Sequence, residues 1–164
     1  MKIIITESQY KRILREEEEQ EVLHIPSFKF FNDDWDLLQK FLEQRGNPPY
    51  SIGGNLDLYK TPIKSLGNLQ SVEGNLDLYK TPIKSLGNLQ SVGGSLYLKN
   101  NPIESLGNLT SVGGYLDLRY TPIESLGNLT SVEGYLNLIS TPLSKKYTEK
   151  HIRQMVDVGG EIYF

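Results

Sequence analysis

Over residues 51–143 the chain repeats itself every 20 residues. The units read SIGGNLDLYKTPIKSLGNLQ, SVEGNLDLYKTPIKSLGNLQ, SVGGSLYLKNNPIESLGNLT, SVGGYLDLRYTPIESLGNLT and SVEGYLNLISTPLSKKYTEK, the last diverging after Leu143. The first two differ only at Ile52/Val72 and Gly53/Glu73, as after a recent duplication. A unit this short cannot bury an apolar face by itself. Self-similarity at a fixed short period therefore means stacked coils that share one interior.

The unvarying positions have physical reasons. Gly-x-Leu-x-Leu has period 2, so Leu76 and Leu78 point to one face while Asn75, Asp77 and Tyr79 point to the other. Stacking that strand on the next copy, ~4.8 Å away, makes a parallel sheet. Pro82 fixes the backbone where the chain leaves the sheet, and Ile83 turns back to the core. Leu86, Leu89 and Val92 follow at three-residue intervals as the remaining inward points. Gly74 and Gly87 mark tight bends.

The segments LDLYKTPI and LYLKNNPI resemble the leucine-rich-repeat signature Leu-x-Leu-x-x-Asn-x-Leu, in register over 51–143. The resemblance implies an α/β-type repeat solenoid with a short parallel β-sheet. The family's ladder asparagine is present only as Asn101, with Thr61, Thr81, Thr121 and Thr141 in its place elsewhere. The Val-x-Gly-x-Leu-x-Leu form resembles receptor L-domain repeats more than ribonuclease-inhibitor repeats. A unit this short leaves no room for a convex helix, so the back is expected to be turns or 3₁₀ segments.

An open solenoid exposes its core at both ends, which predicts helical N- and C-terminal caps. Residues 1–50 read as an N-terminal segment and cap, and 144–164 as a C-terminal cap and last strand. Phe28-Lys29-Phe30 alternates like a strand. Asn32 or Asp33 is placed to N-cap a helix carrying Trp35, Leu38, Phe41 and Leu42 on one stripe. A second helix is expected to start at Ser144. Val158-Gly159-Gly160-Glu161-Ile162 reproduces Val92-Gly93-Gly94-Ser95-Leu96, which makes Glu161, Ile162, Tyr163 and Phe164 a further repeat strand. Upstream, residues 1–5 read as a strand and Thr6-x-x-Gln9 as a capping box for a helix through Tyr10, Ile13 and Leu14. The opening ITESQYKRIL resembles the N-termini of small tailed-phage proteins.

Composition removes several function classes. A net charge of −3 supplies no basic stripe for nucleic acid. The absence of cysteine removes disulfide, iron–sulfur and zinc-thiolate chemistry. No apolar run reaches the length of a membrane span, and residues 1–6 are too short for a signal-peptide core. The expectation is a soluble, cytoplasmic protein, in the host cytoplasm if the phage resemblance holds. His24 and His151 are the only histidines, and Ser65, Ser85, Ser105 and Ser125 have no base beside them in the pattern. Neither an enzyme nor a cofactor is expected.

Outward strand positions change between copies while the leucines stay fixed. They form columns: Asn55, Asn75, Ser95, Tyr115 and Tyr135; Asp57, Asp77, Tyr97, Asp117 and Asn137; Tyr59, Tyr79, Lys99, Arg119 and Ile139. Tyrosine and arginine are enriched at binding hot spots. The expected function is non-enzymatic protein binding through Asp57, Tyr59, Asp77, Tyr79, Tyr97, Lys99, Tyr115, Asp117, Arg119, Tyr135 and Asn137. An ordinary solvated face accounts for the same variation. Asp57 and Asp77 would repel at one strand spacing; Lys60 and Lys80 are the expected neutralisers. Two carboxylates fall short of a calcium site, so no metal is expected. One alternative is a homodimer paired through the edge strand Glu161, Ile162, Tyr163 and Phe164. The other is a nucleotide or sugar binder, for which a flat sheet is a poor container.

Overall fold

The computed structural model describes residues 6–8 and 21–164. The strand expected over residues 1–5 and the helix through Tyr10, Ile13 and Leu14 lie outside the described residues. From Leu23 onward the chain is a parallel β-solenoid in which the first coil contributes one very short strand and each later coil two.

The first set is β1 (Leu23–Ile25), β2 (Tyr50–Ile52), β4 (Leu69–Val72), β6 (Ser91–Val92), β8 (Ser111–Val112), β10 (Ser131–Val132) and β12 (Asp157–Val158), stacked in that order. The second set is β3 (Leu56–Asp57), β5 (Leu76–Asp77), β7 (Leu96–Tyr97), β9 (Leu116–Asp117), β11 (Leu136–Asn137) and β13 (Ile162–Tyr163). The repeat pattern anticipates one sheet; the structure has two, which we call the Ser-Val sheet and the Leu-x sheet. Their separation comes from the corner between them. There Gly74 donates its N–H to Gly54 O at 2.8 Å, and Gly94 to Gly74 O at 3.0 Å. A Cβ at Gly74 or Gly94 would collide with the coil beneath.

Register follows from chemical identity. Leu76, Leu96, Leu116 and Leu136 are direct partners across the stack, as are Ser71, Ser91, Ser111 and Ser131. Like packs on like, and the inward columns form one continuous core. Leu76, Leu78, Ile83, Leu86, Leu89 and Val92 are all buried, with their equivalents in the neighbouring coils.

After each Leu-x strand the turn is built the same way. The residue after the last outward strand position (Tyr59, Tyr79, Lys99, Arg119 or Ile139) takes a left-handed conformation: Lys60, Lys80, Asn100, Tyr120 and Ser140 have φ of 54–61°. The next hydroxyl then locks the turn from inside. Thr81 Oγ1 donates to Leu78 O at 3.0 Å, and Thr121 Oγ1 to Leu118 O at 2.7 Å.

Asn101 departs from this. Its Nδ2 donates to Thr81 Oγ1 at 2.8 Å, while its Oδ1 is buried with no hydrogen-bond partner among the described residues. Asn101→Thr removes that orphan acceptor and restores the residue of the adjoining coils. It is expected to raise stability by about 1 kcal/mol, read as a higher urea midpoint. A lower midpoint would mean that the contacts to Thr81 outweigh the orphan.

Helices flank the solenoid. α1 (Trp35–Glu43) is N-capped by Asp34, whose Oδ1 accepts from Leu37 N at 3.0 Å, rather than by Asn32 or Asp33. Those two have positive φ and make the preceding turn. Phe28–Phe31 is a 3₁₀ helix, not a strand: the Ser27 side chain accepts from Lys29 N and closes the turn. The strand at this end is β1. After the repeats, two helices stand in place of one starting at Ser144. α2 (Pro142–Lys146) is capped by Thr141, and α3 (Glu149–Met155) by Thr148. No helix of the described residues is long and apolar enough to cross a membrane.

Candidate functional site

The outward face of the Leu-x sheet carries the columns singled out above, and the structure divides them by duty. In the first column, Asn55 Oδ1 accepts Asn75 N–H at 2.9 Å, and Asn75 Oδ1 accepts Ser95 N–H at 2.7 Å. Ser95 Oγ accepts Tyr115 N–H at 3.0 Å. This side-chain ladder ties each coil to the next. It stops at Tyr115, because a phenol cannot reach back to the following amide.

From that point the face is aromatic. Tyr97, Tyr115, Tyr135 and Tyr163 run across successive strands with ring centroids 6.1, 6.5 and 6.0 Å apart, tilted or edge to face. Tyr115 Oη accepts from Asn137 Nδ2 at 3.1 Å, and Tyr163 Oη donates to Glu161 Oε2 at 2.7 Å. Burial pushes the Tyr115 phenol above its ordinary value. Tyr163, expected to serve an edge, is thus also the last member of this row.

The second column also has a backbone duty. Asp57 Oδ1 accepts Tyr59 N–H at 3.0 Å, Asp77 Oδ1 accepts Tyr79 N–H at 2.9 Å, and Asn137 Oδ1 accepts Ile139 N–H at 3.1 Å. Burial increases along the column: Asp57 is exposed, Asp77 half-buried, and Asp117 3% exposed. Asp117 is neutralised within its own coil. Arg119 Nε donates to its Oδ1 at 2.8 Å and Nη2 to its Oδ2 at 2.6 Å, a two-pronged pairing. That carboxylate holds the guanidinium well above its usual range.

Asp57 and Asp77 lack such a partner, and here the expectation for the lysines is corrected. Lys60 Nζ lies 4.7 Å from the Tyr59 ring centroid and Lys80 Nζ 5.3 Å from that of Tyr79. The tyrosine face, adjacent in the turn, attracts each ammonium. Tyr59 and Tyr79 stack at 5.2 Å, and Lys99 Nζ sits 5.7 Å from Tyr79 and 5.6 Å from Tyr120.

Burial, then the charges of Asp57 and Asp117, push the Asp77 carboxyl up, against the lowering effect of the Tyr79 amide. A carboxyl raised in the folded state binds its proton there first. Its contribution therefore makes the native state gain stability as pH falls from neutral through the folded value toward the unfolded one. Asp77→Asn keeps the amide bond, as Asn137 does. The variant is expected to be more stable than wild type at pH 7, with the difference shrinking toward pH 4; urea midpoints at both pH values check it. A difference that grows on acidification would contradict the assignment.

The serines and histidines noted in the sequence make local hydrogen bonds. Ser65, Ser85, Ser105 and Ser125 accept the N–H of Gly67, Gly87, Gly107 and Gly127 at 3.0–3.1 Å. His24 Nδ1 meets Ser51 Oγ at 3.1 Å, and His151 Nδ1 meets Thr148 Oγ1 at 2.8 Å. No cluster of three or more metal-ligating side chains occurs among the described residues.

Two surfaces escaped the sequence reading. One is a trough of about 400 Å³ on the Ser-Val sheet, floored by Ser71, Ser91, Ser111 and Ser131 and ended by Glu73 and Glu133. The other is an apolar hollow of about 450 Å³ among Leu23, Ile25, Pro26, Phe30, Phe31 and Phe41. The serines form a row only through the second sheet, and the Phe28-Lys29-Phe30 alternation points to a strand where the chain makes a 3₁₀ helix. Comparison with protein-family models, with curated proteins and with solved structures finds no match for this chain.

Proposed function

We propose that the chain is a non-enzymatic protein-binding module of leucine-rich-repeat type, working through the exposed face of the Leu-x sheet. One observation carries the reading. At Tyr115 and Tyr135 the chain gives up the Asn/Ser ladder that joins the earlier coils and lays down tyrosines instead. A ladder bond stabilises the solenoid, whereas a row of half-exposed phenols offers large rigid contact area at low entropic cost. The flanking helices α1, α2 and α3 act as caps that close the ends of the core. If the N-terminal resemblance holds, the partner is a host protein.

The test uses the chain's own alternatives. Tyr115→Ser and Tyr135→Asn install residues that Ser95, Asn55 and Asn75 already carry at the same position. Wild type is expected to retain a partner from a lysate that the double variant loses, at an unchanged melting temperature. A partner held equally by both would sink the reading.

A second reading is homodimerisation at the C-terminal end. β12 and β13 are the terminal strands of the two sheets as described, and Met155, Tyr163 and Phe164 are exposed near them. A dimer mass in native mass spectrometry that reverts to monomer with Phe164→Ser would favour it. A monomer at micromolar concentration would exclude it.

A further inference from the structure

Four coils carry aspartate or tyrosine at the centre of the binding face, and they differ in how that position is satisfied. Asp57, Asp77 and Tyr97 are direct partners on successive strands, and Tyr97 in turn faces Asp117. In the fourth coil both carboxylate oxygens of Asp117 are taken by Arg119. In the first two, one oxygen of each carboxylate accepts a turn amide, and the other has no hydrogen bond among the described residues. The lysines that could have served lie over tyrosine rings. Tyr97 separates the two aspartates from the Asp117–Arg119 pair. A hollow of about 180 Å³ opens above them, walled by Asn55, Asn75 and Tyr97.

Resting on the proposed binding face, we propose that this hollow receives an arginine side chain of the partner, its guanidinium bridging Asp57 and Asp77 and its plane against Tyr97. Arg119 supplies the precedent: the same column position, in the same fold, is satisfied by a guanidinium. Carboxylates about 4.8 Å apart on neighbouring parallel strands suit a planar fork with parallel donors better than a point charge. The adjacent phenol adds a face on which guanidinium stacks and ammonium does so less well. A metal ion is disfavoured because two carboxylates, with no third acidic or imidazole ligand beside them among the described residues, supply too few donors.

The probe is the tripeptide amide Ac-Gly-Arg-Gly-NH2, titrated at millimolar concentration into ¹⁵N-labelled full-length protein, with Ac-Gly-Lys-Gly-NH2 as comparison. The amides of Tyr59 and Tyr79, bonded to the two carboxylates, report directly. Saturable shifts there and at Tyr97 are expected with the arginine peptide. The lysine peptide should bind more weakly. In D57N/D77N, which keeps the turn bonds as Asn137 does, affinity should fall by about tenfold. Three outcomes overturn the proposal: no shifts in wild type, equal shifts in D57N/D77N, or equal affinity for both peptides. The failures are separable. If Tyr115→Ser/Tyr135→Asn abolishes partner capture while the hollow ignores arginine, this inference falls and the binding face stands. If the hollow takes arginine while no partner depends on the face, the wider reading falls.

Discussion

Replacing Arg119 by isoleucine is expected to cost about 3 kcal/mol at neutral pH, and adding Asp117→Asn to return most of it. Asp117 is 3% exposed and spends both oxygens on Arg119. Removing the cation leaves a buried carboxylate with one remaining bond, from the Arg119 backbone amide at 3.1 Å. A cost at the low end of the usual range is expected because the Arg119 side chain remains 34% exposed, so water replaces part of what is lost. The double variant reproduces what the next coil carries, where Asn137 and Ile139 occupy the two positions and Asn137 still accepts the turn amide. A double-mutant cycle in urea measures the coupling. Single variants that simply add would mean that the pair is a surface contact of little consequence.

Gly134→Ala is expected to cost about 3 kcal/mol, by overpacking against backbone that has nowhere to go. A Cβ there would stand 2.8 Å from Gly114 C and O and 3.1 Å from Tyr115 N. Those atoms belong to the corner where Gly134 N–H donates to Gly114 O at 3.0 Å, so relief means breaking the stack between two coils. Gly107→Ala is the control: nothing lies within 4 Å of its Cβ, and only the positive φ of 57° opposes it. That should cost about 1 kcal/mol. A loss at Gly134 no larger than that at Gly107 would mean that the coil beneath yields to a Cβ and that the contact between coils is not restrictive.

The repeat made the inward half of the molecule legible. Leu, Leu, Ile, Leu, Leu and Val at fixed offsets bury as their spacing implies, since a side chain repeated in register has only its own copies to pack against. The second sheet was not legible. Ser-Val is too short to show period 2, and its strand character comes from pairing with identical copies at long range. Nor could the pattern tell which outward residues hold the backbone. Asn55, Asn75 and Asp77 look like ordinary solvated side chains until their oxygens are found on amides of the next coil or of their own turn. Proximity in sequence points Lys60 and Lys80 to the aspartates, yet their ammonium groups settle over tyrosine rings in the same turn.

The most direct test of the binding face is hydroxyl-radical footprinting of the protein alone and with its captured partner. Tyr59, Tyr135 and Tyr163 on the Leu-x side are exposed, as are Phe30 near the N-terminal end of the solenoid and Met155 in α3. The account predicts that the partner protects the three tyrosines and leaves Phe30 and Met155 oxidised as before. Protection of Phe30 or Met155 with the tyrosines still fully reactive would contradict it and move the site to an end of the solenoid.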